Sequence, residues 1–349
     1  LYALHRDLDG VGQPFFAYNK QELIDSLKSI ADSVKSAVFT GSAPAPTTSA
    51  DLGHTLIVAE FDPGHWTGDL KAVAKIDPYL GWTSDNLQMV WSAAGLMPVK
   101  ESRNVWTIDP LSPYDVVKYE DGTLTGDNWL CKLNGMGDII NSTPVVVGTP
   151  PFFYPFDNYG SFKFDIIDNE SRPTLIYVGS NDGALHAFAL EDWTPPPTIG
   201  GPSVTAGQEV WAFVPKSLHA VLDLATSDPT DDMCADEYCH KYLLDGSPKV
   251  ADVFVDLNGD KQITGSEWRT ILVTGLRSGG QAYFALDVTS GQDFDNTNSD
   301  PAVHLWEFTD NYDLGETWAE PSINRVTDIS PVAGCLLYTS DAADEFCHV

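Results

Sequence analysis

Leu175-Ile-Tyr-Val-Gly-Ser-Asn-Asp-Gly-Ala-Leu-His-Ala-Phe-Ala-Leu190 is the stretch that decides the fold. Two apolar runs flank Asn181-Asp182-Gly183, residue types that tolerate the backbone of a tight reversal, so the segment reads as strand, turn, strand. A tryptophan strand, Trp211-Ala-Phe213, follows. The same unit recurs on either side. Trp66-Thr-Gly-Asp-Leu70 leads to Trp91-Ser-Ala, and Gly279-Gly-Gln-Ala-Tyr-Phe-Ala-Leu286 leads to Trp306-Glu-Phe. The second and third copies are preceded by the apolar strands Leu175–Val178 and Ile271–Val273. Repeated hairpins of this texture signal a mainly β chain built as a β-propeller, whose radial packing protects most strand edges. The alternative is an unspecified β-sandwich with coincidental glycine turns. Roughly a hundred residues separate the copies, against about 40 to 50 for an ordinary blade, so either a degenerate blade or a long insertion lies between them. Ser142-Thr-Pro-Val-Val-Val147 is a candidate extra strand, and Trp193-Thr-Pro-Pro-Pro197 a loop insertion.

Outside this region the texture changes. Asn19 and Glu22 cap an amphipathic helix carrying Leu23, Ile24, Leu27, Ile30, Ala31 and Val34. Gly41-Ser-Ala-Pro-Ala-Pro-Thr-Thr-Ser49 then reads as a linker. Residues 1–45 are expected to be the C-terminal end of an upstream domain with its linker, and 46–334 a partial propeller. Residues 335–349, beginning Cys335-Leu-Leu-Tyr-Thr-Ser, look like the translation of a sequencing adapter and are set apart as an artefact. The chain opens at Leu1 without methionine or a signal peptide, as a cut from something longer would.

Fifty acidic residues against 19 basic ones give a net charge of −31, which excludes nucleic-acid binding through a basic face. Such acidity suits a secreted protein or one that collects divalent cations. No run of 18 uncharged apolar residues occurs, so no membrane span is expected. Cys234 and Cys239 sit close enough in Cys-Ala-Asp-Glu-Tyr-Cys to form a disulfide in an oxidising compartment; the rival reading is a metal pair with His240. Gly-x-Ser-x-Gly and His-Glu-x-x-His signatures are absent.

Asp256-Leu-Asn258-Gly-Asp260-Lys-Gln262-Ile-Thr264-Gly-Ser-Glu267 has the ligand spacing of a calcium loop. Asp256, Asn258, Asp260, Thr264 and Glu267 place side-chain oxygens at positions 1, 3, 5, 9 and 12, and Gln262 offers its backbone carbonyl at position 7. Lys261 stands where the sharp turn prefers glycine, which leaves an ordinary acidic hairpin turn as the alternative. Strand-like segments on both sides make this an insertion between strands, unlike the helix-flanked loop of a calcium sensor. Asn181-Asp182-Gly183 and Gly275-Leu-Arg-Ser-Gly-Gly280 read as hairpin turns, and His186 as a hydrogen-bonded scaffold histidine. The acidic run Asp293–Asp300 reads as a solvated loop, and Asp7-Leu-Asp9-Gly10 as a weak metal signal.

The turn-strand-tryptophan repeat resembles the quinoprotein-type propeller. A longer series is similar to the PilC/PilY family of type IV pilus tip-associated proteins. It runs through Phe61-Asp-Pro-Gly-His-Trp66, Gly137-Asp-Ile-Ile-Asn141-Ser-Thr-Pro-Val, Tyr177-Val-Gly-Ser-Asn181-Asp-Gly, Phe213-Val-Pro-Lys, His240-Lys-Tyr-Leu-Leu-Asp245-Gly-Ser-Pro, Trp268–Asp287 and Leu305-Trp-Glu-Phe-Thr-Asp310. The series spans roughly residues 55–325 in the family's order.

The resemblance implies a propeller that is incomplete at its C-terminus here, preceded by the helical end of an upstream domain such as a von Willebrand factor A domain. It further implies an extracellular or outer-surface protein at the pilus tip, associated with minor pilins and acting in pilus assembly, retraction control, adhesion and twitching motility, with calcium bound to the propeller. The family's best-known calcium loop lies further along, so Asp256–Glu267 is not equated with it, and no Arg-Gly-Asp tripeptide occurs. On this reading the chain is not an enzyme. The alternative is a pyrroloquinoline-quinone-dependent dehydrogenase, whose usual adjacent cysteine pair is missing because four residues separate Cys234 from Cys239.

Overall fold

The computed structural model describes residues 45–46, 55–62, 66–77, 86–99, 102–112, 115–118, 135–151, 158–168, 172–197, 201–224, 240–254, 267–291, 302–310, 313–325 and 335–339. The amphipathic helix at 19–34, the acidic segments at 7–10 and 293–300, and the two cysteines at 234 and 239 lie outside them.

Three antiparallel meanders organise the described residues. The first is β1 (Ala45–Pro46), β2 (Thr55–Asp62), β3 (Thr67–Lys75) and β4 (Leu87–Ser92), paired in that order. Two further strands, β5 (Val105–Ile108) and β6 (Val116–Lys118), precede the second meander of β7 (Val145–Val147), β8 (Leu175–Gly179), β9 (Leu185–Ala189) and β10 (Glu209–Val214). The third is β11 (Lys249–Phe254), β12 (Trp268–Gly275), β13 (Ala282–Asp287) and β14 (Val303–Thr309). A last antiparallel pair joins β15 (Pro321–Arg325) to β16 (Cys335–Thr339), of which β16 alone falls in the stretch 335–349 expected to be foreign. Helix α1 (Tyr159–Asp168) lies between β7 and β8; a 3-10 turn at Lys216–Leu218 and helix α2 (His219–Leu224) follow β10. Among the described residues no helix is long and apolar enough to cross a membrane.

Each four-stranded meander contains one copy of the repeat, so the three units are blades of a mainly β propeller fold. The long spacing comes from insertions: no additional four-stranded sheet lies between the blades among the described residues. Part of the first insertion, β5, lies parallel on the outer strand β10 of the second blade, with Val105 opposite Ala212. Ser142–Val147 contributes the blade's first strand, β7.

Alternation explains why the central blade reads as nearly continuous apolar sequence. Leu175, Tyr177, Leu185, Ala187 and Ala189 pack with Leu272, Phe284 and Leu286 of the third blade. Their sequence neighbours Ile176, Val178 and Phe188 turn the other way and pack with Ile57, Ala59, Leu70 and Ala72 of the first. Strands buried on both faces need apolar residues at every position. The far face of the third blade carries a smaller cluster of Val253, Ile271, Val273 and Ala285, with Trp306 and Ile323 partly buried against it.

The outer strands share a detail that local sequence does not announce. Register shifts fall between Ala72 and Val73 opposite β4, between Glu209 and Trp211 in β10, and between Ala285 and Leu286 opposite β14. In each case one apolar residue, Val90, Val210 or Leu305, is left over immediately before the tryptophan. Such a bulge re-aims the residue that follows it. The indole of Trp91 donates to the carbonyl of Leu190 (3.1 Å) in the next blade, and the indole of Trp211 to that of Gly291 (3.1 Å) in the one after. The repeated tryptophan is therefore the contact that docks one blade on the next.

Trp211 is fully buried, whereas Trp306 is only partly covered. Trp211→Ala is expected to cost about 3–5 kcal/mol, and Trp306→Ala clearly less. Urea denaturation of the two variants against the parent chain measures both.

Candidate functional site

The connectors that enter successive blades meet at one end of the structure. Asn141-Ser-Thr-Pro144 precedes β7, and Asp245-Gly-Ser-Pro248 precedes β11, so proline opens both first strands. The two connectors bond to one another in register. Asp245 accepts from the backbone N–H (3.1 Å) and the side-chain amide (2.7 Å) of Asn141, and Ser247 Oγ accepts from Thr143 N–H (3.0 Å). Burial raises the Asp245 carboxyl above its ordinary value, against the opposing pull of Asn141. The approach is close: a Cβ on Gly246 would lie 1.9 Å from the carbonyl oxygen of Gly275.

The hairpin turn Asn181-Asp182-Gly183 is held in this assembly. Gly183 has φ +96°, and Asp182 Oδ1 accepts from Ala184 N–H (3.0 Å), the local bond that makes aspartate a turn residue. Asn181 donates to the buried carboxylate of Asp138 (2.7 Å) and accepts from Leu243 N–H (3.0 Å), tying the connectors of the second and third blades to one turn. His240 lies 2.9 Å from the same Asp138 oxygen and stacks on Trp66, ring centroids 3.9 Å apart. Trp66 has φ +53°, a conformation that bulky residues seldom adopt.

Beneath the turn runs a row of alternating charges. Arg103 makes a forked pair with Glu209 (2.7 and 2.6 Å); His186 Nδ1 lies 2.7 Å from Glu209, and His186 Nε2 lies 3.1 Å from Asp182. All four residues are buried. Burial pulls the His186 pKa down, but Asp182 and then Glu209 outweigh it and raise it to about 9, so the imidazolium is the resident form. Burial works against the Asp182 carboxylate too, yet His186 and Arg103 hold its pKa well below the usual range. Glu209 is likewise lowered, by His186 and Arg103 against burial. His186 is thus scaffold: no part of it reaches solvent, and its two nitrogens join β9 to β10 and to its own turn. No motif in the sequence marks Arg103, just ahead of β5, or Glu209, at the start of β10.

The candidate calcium ligands fall at the opposite end of the β11–β12 hairpin from these connectors. Phe254 pairs with Trp268, so Asp256–Glu267 is the connection of an antiparallel hairpin, as the flanking sequence implies. Glu267 is buried at the root of β12. Asp256, Asn258, Asp260, Gln262 and Thr264 lie outside the described residues. Among the described residues no group of three or more His, Cys, Asp or Glu is placed to hold a metal ion. The donor chemistry, all oxygen at alternating positions, fits a hard cation such as calcium.

Helix α1 seats on that root. Tyr159, Phe162 and Ile166 pack on Trp268 and Phe254, and Tyr159 donates to Asp252 in β11 (2.7 Å). Asp252 also accepts from Thr270 Oγ1 (2.7 Å), and Thr270 Oγ1 accepts from Arg172 (2.8 Å), whose guanidinium continues to the carbonyls of Gly148 and Thr289. This partly buried relay links the α1 insertion of the second blade to the third.

Bulged, tryptophan-docked four-stranded meanders define a β-propeller protein, here with charged and polar connectors at one end and a candidate cation loop at the other. Residues 136–326, more than half of the chain, match the family described as the PilY1 beta-propeller domain, and the chain belongs to that family. It is 29% identical over 346 residues to a type IV pilus biogenesis factor PilY1 homolog of Xylella fastidiosa strain Temecula1, covering 90% of this chain and 24% of that protein. It is 31% identical over 201 residues to the type IV pilus biogenesis factor PilY1 of Pseudomonas aeruginosa strain UCBPP-PA14, covering 55% of this chain and 14% of that protein. A crystal structure of the Pseudomonas aeruginosa PilY1 C-terminal domain aligns with 52% of this chain and 29% of its own at 26% identity and a TM-score of 0.33. The chain thus spans a quarter or less of the length of these curated relatives.

Stability should respond to pH through the buried charge row. Because the folded pKa of His186 is raised to about 9, its contribution is complete below the ordinary histidine value and is lost as pH rises through about 9. The lowered carboxylates Asp182 and Glu209 contribute above the ordinary carboxylate range and lose that contribution as pH falls below it. His186→Gln should flatten the alkaline decline in melting temperature between about pH 6.5 and 9. Arg103→Ala, which leaves Glu209 buried without its fork, should cost about 3–5 kcal/mol at neutral pH.

Proposed function

We propose that the chain is the propeller portion of a cell-surface type IV pilus biogenesis factor, acting at the pilus tip in assembly, retraction control, adhesion and twitching motility. The observation that carries this reading is the family match across residues 136–326, joined to relatives named as pilus biogenesis factors. The chain is read as non-enzymatic, a surface module that presents loops on a rigid propeller. Residues 1–45 are assigned to the end of an upstream domain and its linker, the last of them, Ala45, already pairing with Ile57 of the first blade, and 335–349 to foreign sequence. Minor pilins at the tip are the partners this role calls for, and a disulfide between Cys234 and Cys239 suits an extracellular compartment.

The same proposal gives Asp256–Glu267 a calcium ion. Asp256, Asn258, Asp260, Thr264 and Glu267 would supply side-chain oxygens and Gln262 its carbonyl. The ion supplies positive charge that relieves repulsion among Asp256, Asp260 and Glu267. The closing pair Phe254–Trp268 fixes the two ends of the loop, and α1 rests on that pair, so order in the loop bears directly on α1. On this proposal, calcium would exert control through that seat.

Deleting the encoding gene in its own organism should abolish or sharply reduce surface pili and twitching, with recovery on complementation by the full gene; unchanged piliation and motility would refute the pilus role. Calorimetric titration with calcium should show one site that is lost in both Asp260→Ala and Glu267→Ala. Full binding in both variants would remove the loop as the ligand set and leave the pilus role standing.

A further inference from the structure

Among the described residues the sheet of the second blade is extended past β10 by a fifth strand, β5, and a sixth, β6, whereas that of the third ends at β14. On β10 the edge is closed by β5, which runs parallel to it at Val105–Ala212, Trp106–Phe213 and Thr107–Val214. Asn104 accepts from Ala212 N–H (3.0 Å), and its side-chain amide reaches the carbonyl of the bulged residue Val210 (3.5 Å). Thr107 Oγ1 donates to Val214 O (2.8 Å). The added strand buries Val105, Trp106 and Ile108 in the main core and partly covers Val210. One outer strand of this propeller is therefore built to take an extended apolar segment along its edge.

β14 is the same strand one blade later. Its bulged residue Leu305 precedes Trp306 as Val210 precedes Trp211. Among the described residues β14 pairs only with β13, and Val303 and Leu305 are 44% and 41% exposed. Exposed edges are ordinarily guarded by lysine, proline or a free charge, and Val303-His-Leu-Trp-Glu-Phe-Thr309 has neither lysine nor proline. Its one carboxylate, Glu307, is engaged by the backbone N–H groups of Lys216 (2.9 Å) and Ser217 (2.6 Å). The strand is rich in β-branched and aromatic residues that favour further pairing.

We propose that β14 is a strand-addition site for a protein partner that offers an extended apolar segment running parallel to it, in the arrangement β5 takes on β10. Backbone hydrogen bonds would supply the affinity, and apolar side chains covering Leu305 and Val303 the selectivity. The internal pair defines the occupant: an unpaired segment of the Asn-Val-Trp-Thr-Ile kind, with an amide side chain that reaches the bulge carbonyl. This inference stands apart from the calcium and pilus readings, since it is argued from the pairing of β5 on β10 and from the exposure of Val303 and Leu305 alone.

The test uses the whole chain and a synthetic peptide copying Arg103–Ile108, with a scrambled peptide as control. Hydrogen exchange followed by mass spectrometry should show residues 303–309 slowed by the peptide and not by the scrambled control, while 212–214 are unchanged. Val303→Lys with Leu305→Lys, both at exposed positions, should weaken peptide binding at least tenfold with an unchanged circular dichroism spectrum. Absence of binding, protection confined to β10 or elsewhere, or equal binding by the double variant would overturn the proposal. Should the double variant fold poorly, Val303→Lys alone provides the same comparison.

Discussion

The structure depends on one contact repeated along the chain: a tryptophan, turned by the bulge before it, that docks its indole on a carbonyl of the following blade. A β-sheet has two faces, and a four-stranded sheet by itself leaves both in water. Trp91 and Trp211 solve this by fixing where the neighbouring sheet sits, through a directional bond from an otherwise apolar ring. Once the sheets are placed, alternate residues of β8 and β9 fill two different cores. The bulge matters because a regular strand would carry the next side chain to the opposite face.

That arrangement sets what the two ends can do. At the connector end, glycine-close contacts and buried carboxylates leave little room, and polar groups are spent on each other: Asp245 on Asn141, Asp138 on Asn181 and His240, Glu209 on Arg103 and His186. In a row of charges buried in this way, removing any member leaves its neighbours as uncompensated buried charges. The hairpin at the other end is the part free to carry a long, acidic connection. Its root is fixed by Phe254 and Trp268, and α1 reads that root through Tyr159.

Legibility in the sequence followed the range of the interaction. The hairpins around Asn181-Asp182-Gly183 and Gly275–Gly280 were readable because turn chemistry is local, and the blade tryptophans because they recur after each hairpin. The spacing of the copies fits a degenerate blade as well as an insertion, and the structure shows insertions among the described residues. The bulges at Val90, Val210 and Leu305 exist only relative to a partner strand, so no window of sequence contains them. The Arg103–Glu209 fork joins residues 106 apart, and the β5–β10 pairing residues 107 apart. Asp138 and Asp245 lie within the family motifs, but their partners come from separate segments: Asn181 and His240 for Asp138, and Asn141 for Asp245. For the calcium loop, spacing and flanking strands were legible; of the proposed ligands the structure describes Glu267.

The most direct measurement of blade docking is the exchange of indole N–H protons by nuclear magnetic resonance in the intact chain. If tryptophan docking holds the propeller together, the indole protons of Trp91 and Trp211 should exchange only on global unfolding, with the same free energy as the amides of β8 and β9, while that of the exposed Trp318 exchanges orders of magnitude faster. Exchange of Trp211 at a rate comparable to Trp318 under native conditions would contradict the account.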